Sequence, residues 1–326
     1  MQRTPVWTDA VHLTLARHGE SEWNRLGRWQ GQSDTPLSTA GVAQARALGS
    51  RLRRRKFTRI IASDLRRATV TAEAIGSPFE TREEFREMHV GRWDGMARRD
   101  IDDREPGEVE RCSRERDRPL GGGESHAEFF ERVDRGLLRL LEGCVPGDRV
   151  LLVGHGGIIR AGAAGLLGGC TRKTWPLPPV GNTAITELQW TPERTTLSVF
   201  NDQMHIVAPG DEVLDRPEEV ARVLVEPADL ESRRGPGPVP EPERVPTDEP
   251  VDFADWFASR LPGPRPCLVS PALLEAIATE AFDASPGSGP APPRPGCYSR
   301  LRLGQDGTVV EVYNADPGAA GETGGR

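Results

Sequence analysis

The chain has 326 residues, of which 36% are hydrophobic and 28% charged, and its formal net charge at pH 7 is −7. No apolar run approaches the ~20 residues of a membrane-spanning helix, and the first residues lack the apolar segment of a signal peptide. We therefore expect neither a membrane protein nor a secreted one. The five cysteines are scattered without the spacing of a metal site, so we expect reduced thiols and a cytoplasmic location.

The first predicted strand is the alternating apolar run that starts at Val11 and stops at Arg17-His18-Gly19. Apolar spacing and glycine or serine boundaries predict helices over 42–53, 65–76, 125–141 and 157–167, and strands over 57–62, 150–153, 184–190 and 196–200. We expect 85–95 to be a loop with a short extended piece, and the highly charged 98–118 to be a surface helix or a lid. Because strands and helices alternate, the predicted class is α/β with a largely parallel sheet.

Charge and proline are unevenly distributed along the chain. Residues 1–207 carry 31 basic and 28 acidic side chains (31 − 28 = +3), whereas 208–326 carry 11 and 21 (11 − 21 = −10) and hold 19 of the 29 prolines. A mildly positive first part suits an anionic substrate. The basic run 51–59 is interpreted as a solvated helix end rather than a nucleic-acid site.

These shifts predict three segments. Residues 1–210 form the main domain, 211–250 an acidic proline-rich linker, and 251–326 a small accessory module or a degenerate partial repeat with a disordered end. The repeat hypothesis aligns 149–155 with 265–271, where Pro271 stands in place of His155. Within this segment 297–303 and 308–314 are expected to form a hairpin around Gly304 to Gly307.

Three strand-to-helix junctions carry the side chains that point to chemistry. They supply Arg17 with His18, then Arg67, and then His155, while Glu87 lies in a loop between the second and third. Ligands bind at this edge of open α/β sheets, and helix N-termini there favour anions. Neutral imidazole is a good nucleophile near pH 7, and guanidinium groups bind phosphate oxygens. The set therefore predicts phosphoryl transfer through a histidine, with Glu87 moving the proton and no metal or cofactor required.

Residues 11–207 resemble the histidine phosphatase superfamily, which includes the cofactor-dependent phosphoglycerate mutases. The matching motifs, in the family's order, are ARHGESEWN, RWQGQSDTPLSTAG, ASDLRRATVTA, EMHVGRWDG, GGGES and VGHGGIIR. The stretch 89–110 together with GGGES most resembles small-molecule phosphatases of actinobacteria, among them the glucosyl-3-phosphoglycerate phosphatases. The resemblance implies a phosphoglycerate mutase-like fold, a three-layer α/β sandwich with a mostly parallel central sheet.

The resemblance also implies a role for each matching residue. His18 would be the phosphorylated nucleophile, and Glu87 the proton donor. The phosphate pocket would be formed by Arg17, Arg67 and His155, and the rest of the site would be lined by Asn24, Gln30, Gly31 and, through its backbone, Gly156.

Three functions stay open at this point. The favoured one is a metal-independent phosphomonoesterase acting on a sugar phosphate or a phosphoglycerate-type ester. Mutases of the family carry a longer insertion between the glutamate and the second histidine, whereas here only 137 residues (155 − 18) separate the two histidines, so the resemblance implies a short lid. The alternatives are a mutase, and a catalytically silent protein that binds a phosphorylated ligand. The substrate and the oligomeric state, including a homodimer, are left open.

Two further histidines, His126 and His205, lie outside these motif roles. His126 is expected either to belong to a helix cap or to contact the substrate, and His205 is expected to be structural.

Overall fold

The computed structural model describes residues 10–168, 177, 179–203 and 205–206, together with the backbone of six strands between 221 and 315. The main sheet consists of β1 (Val11–Arg17), β2 (Arg59–Ala62), β3 (Glu80–Thr81), β4 (Arg149–Gly154), β5 (Ile185–Thr191) and β6 (Arg194–Asp202). Their order is β3-β2-β4-β1-β5-β6. The pairs among the first four strands are parallel, whereas β5 and β6 are antiparallel. The predicted α/β class with a mostly parallel sheet is confirmed.

The helices are α1 (Glu22–Arg25), α2 (Thr39–Leu52), α3 (Arg66–Glu73), α4 (Arg98–Arg104), α5 (Glu108–Arg114), α6 (His126–Glu142) and α7 (Gly156–Leu166). Serine caps start two of the longer ones: Ser38 accepts from the Gly41 amide, and Ser125 forms a capping box with Glu128. Such caps satisfy amide groups that have no partner inside the helix. Within the described residues, no helix is long and apolar enough to cross a membrane.

Alternating side chains of the central strands enter two separate hydrophobic cores. Leu13 and Leu15 of β1, with Leu152 of β4, belong to the core that α6 and α7 cover. Ala16 and Val153 belong to the core covered by α2 and α3. Because successive side chains of a strand point to opposite faces, the sheet lies between two helical layers. This is the three-layer arrangement that the family resemblance implied.

The charged region after β3 differs from its predicted form. Residues 85–95 contain a 3-10 turn at Gly91–Trp93 instead of an extended piece, and a second 3-10 turn, Glu83–Phe85, leads into them. Gly91 has φ +54°, and a Cβ there would lie 2.2 Å from the Gly121 carbonyl oxygen. This close approach requires glycine and excludes an extended strand. The stretch 98–118 forms the two short helices α4 and α5, which bury Ile101, Val109 and Cys112 beneath a charged surface.

Six further strands follow: β7 (Ala221–Pro227), β8 (Glu243–Arg244), β9 (Arg265–Val269), β10 (Gly289–Pro290), β11 (Tyr298–Gly304) and β12 (Gly307–Ala315). The predicted hairpin is the antiparallel pair β11 and β12. β7 lies inside the range predicted as linker and pairs with both β9 and β11, so this stretch is a strand. The end expected to be disordered lies outside the described residues.

The order β9-β7-β11-β12 parallels β4-β1-β5-β6 in the main sheet. However, β7 runs parallel to β11, whereas β1 runs antiparallel to β5. The partial repeat and the division into segments therefore stay predictions.

Candidate active site

The carboxyl ends of three neighbouring parallel strands bring the predicted site residues together. Arg17 ends β1 and His18 follows it, His155 follows β4, and Arg67 lies in the first turn of the helix after β2. Since β4 lies between β1 and β2, these side chains converge. The rings of His18 and His155 are edge to face, with centroids 5.2 Å apart.

His18 is held with one ring nitrogen free of a proton. Its Nδ1 lies 2.7 Å from the Gly19 carbonyl oxygen. A carbonyl oxygen only accepts, so Nδ1 carries the proton and Nε2 keeps its lone pair. The side chain is 3% exposed, and burial, followed by the charges of Arg67 and Arg17, lowers the pKa of His18 well below its ordinary value. The ring is therefore neutral at pH 7, which is the nucleophilic form.

His155 is oriented by two protein groups. The Nε of Arg67 donates to His155 Nδ1 at 3.2 Å, so the ring proton lies on Nε2, which donates to Ser63 Oγ at 2.8 Å. Burial is the main cause that lowers the pKa of His155 well below its usual value, and the charge of Arg67 adds to it. Ser63 did not enter the sequence reasoning. The signal that could have found it is its position at the end of β2, directly before the helix that carries Arg67.

Arg67 is fully buried and firmly held. Its two terminal nitrogens donate to the carbonyl oxygens of Ser33 and Gly31, each at 2.8 Å. Burial lowers its pKa to about 10, so the side chain still carries its charge at pH 7. Gly31 in turn donates its amide to Asp94 at 2.9 Å. Gly31 therefore supports Arg67 through its backbone.

Arg17 has an unused donor. One terminal nitrogen donates to the Val180 carbonyl oxygen at 2.7 Å, whereas the buried Nε has no hydrogen-bond partner among the described residues. A Cβ at Gly156 would lie 3.6 Å from this Nε, so the donor lies beside the N-terminus of α7. A buried N–H without a partner is costly, and an anion bound at this position would satisfy it.

Glu87 lies against the same helix N-terminus. Its Oε2 accepts from the Gly157 amide at 2.9 Å, and its Oε1 accepts from the Met88 amide at 2.8 Å. A Cβ at Gly157 would lie 2.2 Å from Glu87 Oε1. Glycine at this position therefore allows the carboxyl group to lie two residues from His155 along α7.

Asn24 and Gln30 are joined through Ser21. Asn24 Oδ1 accepts from the Ser21 amide and from Asn182 Nδ2, each at 3.2 Å. Gln30 Oε1 accepts from Ser21 Oγ at 2.7 Å, and its buried Nε2 has no partner within the part of the chain that the structure describes. Gln30 thus presents an amide donor, while the Asn24 oxygen is used inside the protein.

The loop before β5 binds the backbone of His18. The sequence analysis did not include this loop in the site. The Asn182 side chain and the Thr183 amide donate to the His18 carbonyl oxygen at 3.1 and 3.2 Å. Thr183 has φ +57°, an uncommon conformation for a β-branched residue. His205 Nε2 lies 3.0 Å from the Thr183 hydroxyl. His205 is thus placed in a structural position, as expected.

A cavity of about 370 Å³ extends from Glu87 and Gly157 toward α5 and α6. Its wall includes Gln30, Arg160 and His126. Ser125 caps α6, so His126 itself is not the capping side chain, and burial lowers the pKa of His126 to about 4. Among the described residues, no group of three or more histidine, cysteine, aspartate or glutamate side chains could hold a metal ion.

The part of the chain that contains the site is similar to known proteins. The sequence profile of the histidine phosphatase superfamily (branch 1) matches residues 13–203. The glucosyl-3-phosphoglycerate phosphatase of Mycolicibacterium vanbaalenii is 37% identical over 187 residues, which are 54% of this chain and 83% of that protein. The probable phosphoglycerate mutase GpmB of Salmonella choleraesuis is 33% identical over 222 residues, 63% of this chain and 100% of that protein.

Two solved structures are also similar to this chain. A mycobacterial glucosyl-3-phosphoglycerate phosphatase complexed with VO3 aligns with a TM-score of 0.54 and 33% identity, covering 58% of this chain and 98% of that one. The α-ribazole phosphatase of Shigella flexneri aligns with a TM-score of 0.53 and 29% identity, covering 59% of this chain and 96% of that one. The resemblance drawn from the motifs is confirmed.

Proposed function

The chain belongs to the histidine phosphatase superfamily, and we propose that it is a metal-independent phosphomonoesterase that hydrolyses a small-molecule phosphate ester through a phosphohistidine at His18. The observation that carries the proposal is the fixed Nδ1 proton of a buried, neutral His18. This arrangement directs the lone pair of Nε2 into a pocket that contains two guanidinium groups.

In the first step, His18 Nε2 attacks phosphorus, the N–P bond forms and the bond from phosphorus to the alcohol oxygen breaks. Protonated Glu87 transfers its proton to that oxygen. Arg17, Arg67 and His155 stabilise the charge on the three non-bridging oxygens. In the structure the Nε2 proton of His155 is donated to Ser63, so His155 would exchange this partner for a phosphoryl oxygen.

In the second step, the Glu87 carboxylate takes a proton from water as the water oxygen attacks phosphorus. The N–P bond breaks, inorganic phosphate is released, and neutral His18 is regenerated. General acid–base catalysis of this kind contributes roughly 10² to 10⁴ in rate. The charges that a metal ion would supply are supplied here by arginine side chains.

The test is phosphate release from a panel of phosphomonoesters in the presence of EDTA, comparing wild type with His18→Ala. We expect wild type to release phosphate and to give an acid-labile, base-stable phosphoenzyme, and His18→Ala to lose at least about 10³-fold in kcat/KM. Wild-type activity that disappears in EDTA would contradict metal independence, and full activity of His18→Ala would contradict the site.

A phosphoglycerate mutase is the second candidate, because the similarity to GpmB extends over 222 residues. The short lid formed by two seven-residue helices favours water as the acceptor. A mutase would exchange phosphate between positions of a phosphoglycerate, given a bisphosphorylated primer, without net phosphate release. A silent phospho-ligand binder would bind these esters and neither hydrolyse nor isomerise them.

We further propose a cytoplasmic location, in which the described free cysteines Cys112 and Cys144 stay reduced. A homodimer is the oligomeric state that we would test by light scattering coupled to size-exclusion chromatography.

A further inference from the structure

The general acid Glu87 is carried by a segment that has little regular secondary structure. The acid loop, residues 84–89, begins in the 3-10 turn Glu83–Phe85 and then belongs to neither a helix nor a strand. Its backbone groups therefore need hydrogen-bond partners from other parts of the chain. Because a general acid acts only within hydrogen-bond reach of the leaving oxygen, whatever holds this loop also sets the efficiency of Glu87.

Arg132 of α6 uses its whole guanidinium group to hold the acid loop. One terminal nitrogen donates to the carbonyl oxygens of Glu84 and Arg86 at 2.8 and 2.9 Å. The other terminal nitrogen donates to the Glu87 carbonyl oxygen at 3.3 Å and to Glu124 Oε2 at 2.8 Å, and Nε donates to Glu124 Oε1 at 2.7 Å. An arginine side chain has five N–H groups, and these five bonds use all of them.

Glu124 holds the far end of the acid loop. Its Oε2 accepts from the His89 amide at 2.8 Å, and its own backbone amide donates to the His89 carbonyl oxygen at 2.7 Å. Glu124 directly precedes Ser125, the N-cap of α6, and Arg132 lies within that helix. Both side chains therefore attach the loop to the same element, and together they bind backbone groups of residues 84, 86, 87 and 89.

The same arrangement sets the position of the Glu87 carboxyl group relative to α7. The guanidinium carbon of Arg132 lies 5.1 Å from the centroid of the Phe129 ring. This ring packs beside Gly157, where an added Cβ would approach it to 3.1 Å, and the Gly157 amide donates to Glu87 Oε2 at 2.9 Å. The acid loop is thus held through its backbone by α6 and through its carboxyl group by α7.

We propose that Arg132 and Glu124 are positioning residues for the general acid, and that they determine how fast the enzyme releases a leaving group that needs a proton from Glu87. This inference rests on the proposed phosphatase activity. Since all five donors of Arg132 are used inside the protein, Arg132 acts through the acid loop and not by binding the phosphate. A misplacement of about 1 Å in a catalytic group costs on the order of 100-fold in rate.

The experiment compares kcat/KM for glycerol 3-phosphate, whose alkoxide needs a proton, with kcat/KM for p-nitrophenyl phosphate, whose phenolate leaves without one. Arg132→Met should lower the first value about 10- to 100-fold and the second less than about threefold. Glu124→Gln should act in the same direction.

Two further variants separate the fork of donors from charge alone. Arg132→Lys keeps the charge opposite Glu124 but has three donors on a single nitrogen, so most of the loss with glycerol 3-phosphate should remain. Arg55→Met is the matched control, because Arg55 forms an ion pair with Glu187 of β5 at similar side-chain exposure, 29% and 20% against 23% and 19% for Arg132 and Glu124. This control should leave the ratio of the two kcat/KM values unchanged.

A double-mutant cycle with Glu87→Gln distinguishes positioning from a general structural effect. If Arg132 acts through Glu87, Arg132→Met should cost less than about threefold with glycerol 3-phosphate once residue 87 can no longer donate the proton. The ratio of the two kcat/KM values does not depend on the fraction of enzyme that is folded, so a less stable variant still gives a valid result.

Three results would overturn the inference: equal losses with both esters in Arg132→Met, the same loss with and without Glu87→Gln, or full activity of Arg132→Lys with both esters. Failure of the proposed function has a different signature. Wild type that hydrolyses neither ester would contradict the phosphatase activity itself, whatever the variants do.

Discussion

Gly157→Ala should disable proton transfer by Glu87 while leaving the nucleophile in place. The added Cβ would lie 2.2 Å from Glu87 Oε1 and 3.1 Å from the ring of Phe129. Real Cβ atoms do not approach other heavy atoms to 2.2 Å, so the carboxyl group must move away and lose its bond to the Gly157 amide. The three atoms nearest to the new methyl group belong to Glu87 and Phe129, so none of them belongs to His18, His155 or the two arginines of the phosphate pocket.

The size of the effect follows from the role of Glu87. Loss of a positioned general acid costs roughly 10² to 10⁴ in rate, which is about 3 to 5 kcal/mol of barrier. An alkyl phosphate needs a proton on its leaving oxygen, whereas p-nitrophenolate leaves without one. We therefore expect kcat/KM, which reports only the first step, to fall at least about 100-fold with glycerol 3-phosphate and less than about 10-fold with p-nitrophenyl phosphate.

The assay is steady-state kinetics with both esters, alongside thermal unfolding. Thermal unfolding measures the stability that the variant loses through the close approach to Phe129, and a folded variant keeps the comparison of the two esters valid. Gly154→Ala is the matched control, since its Cβ would meet only Ile158 at an ordinary 3.5 Å. An equal fall of kcat/KM with both esters would refute the assignment of Glu87 as the acid.

Three other measurements test the charges of the structure. Burial, followed by the charges of Arg67 and Arg17, lowers the pKa of His18, so His18 stays neutral below pH 6.5. The decrease of kcat/KM at acid pH should therefore have its midpoint below pH 6.5. A midpoint at or above pH 6.5 would contradict the lowered pKa. Arg51 forms a buried ion pair with Asp202. Arg51→Met should therefore lower the free energy of unfolding, measured by urea titration, by about 3 to 5 kcal/mol. A loss under about 1 kcal/mol would contradict the contribution of this ion pair. Burial lowers the pKa of His126 to about 4, so the unfolded chain binds this proton before the folded protein does as the pH falls. The free energy of unfolding should therefore decrease between pH 6.5 and 4, by at most about 1.4 kcal/mol per pH unit from this group. His126→Gln should reduce this dependence of the free energy of unfolding on pH.

The sequence by itself determined the central strands and the chemistry that follows them. Alternating apolar residues define β1 and β4, and the residues that directly follow them are His18 and His155. Carboxyl ends of neighbouring parallel strands share one edge of the sheet, so local patterns were enough to bring these groups together. The family motifs also predicted the site residues that lie in loops, because a motif assigns a role to a residue by its position in the sequence.

Only the tertiary structure decided how each group is held. The amide of Asn182 reaches the carbonyl oxygen of His18 across 164 positions of sequence, and Ser63 reaches His155 across 92. Glu87 binds the helix amide of Gly157, which no periodicity indicates. Sequence patterns report the local geometry of strands and helices, whereas hydrogen bonds between distant segments depend on how those elements pack. That packing orients His155 between Arg67 and Ser63 and holds Glu87 against α7.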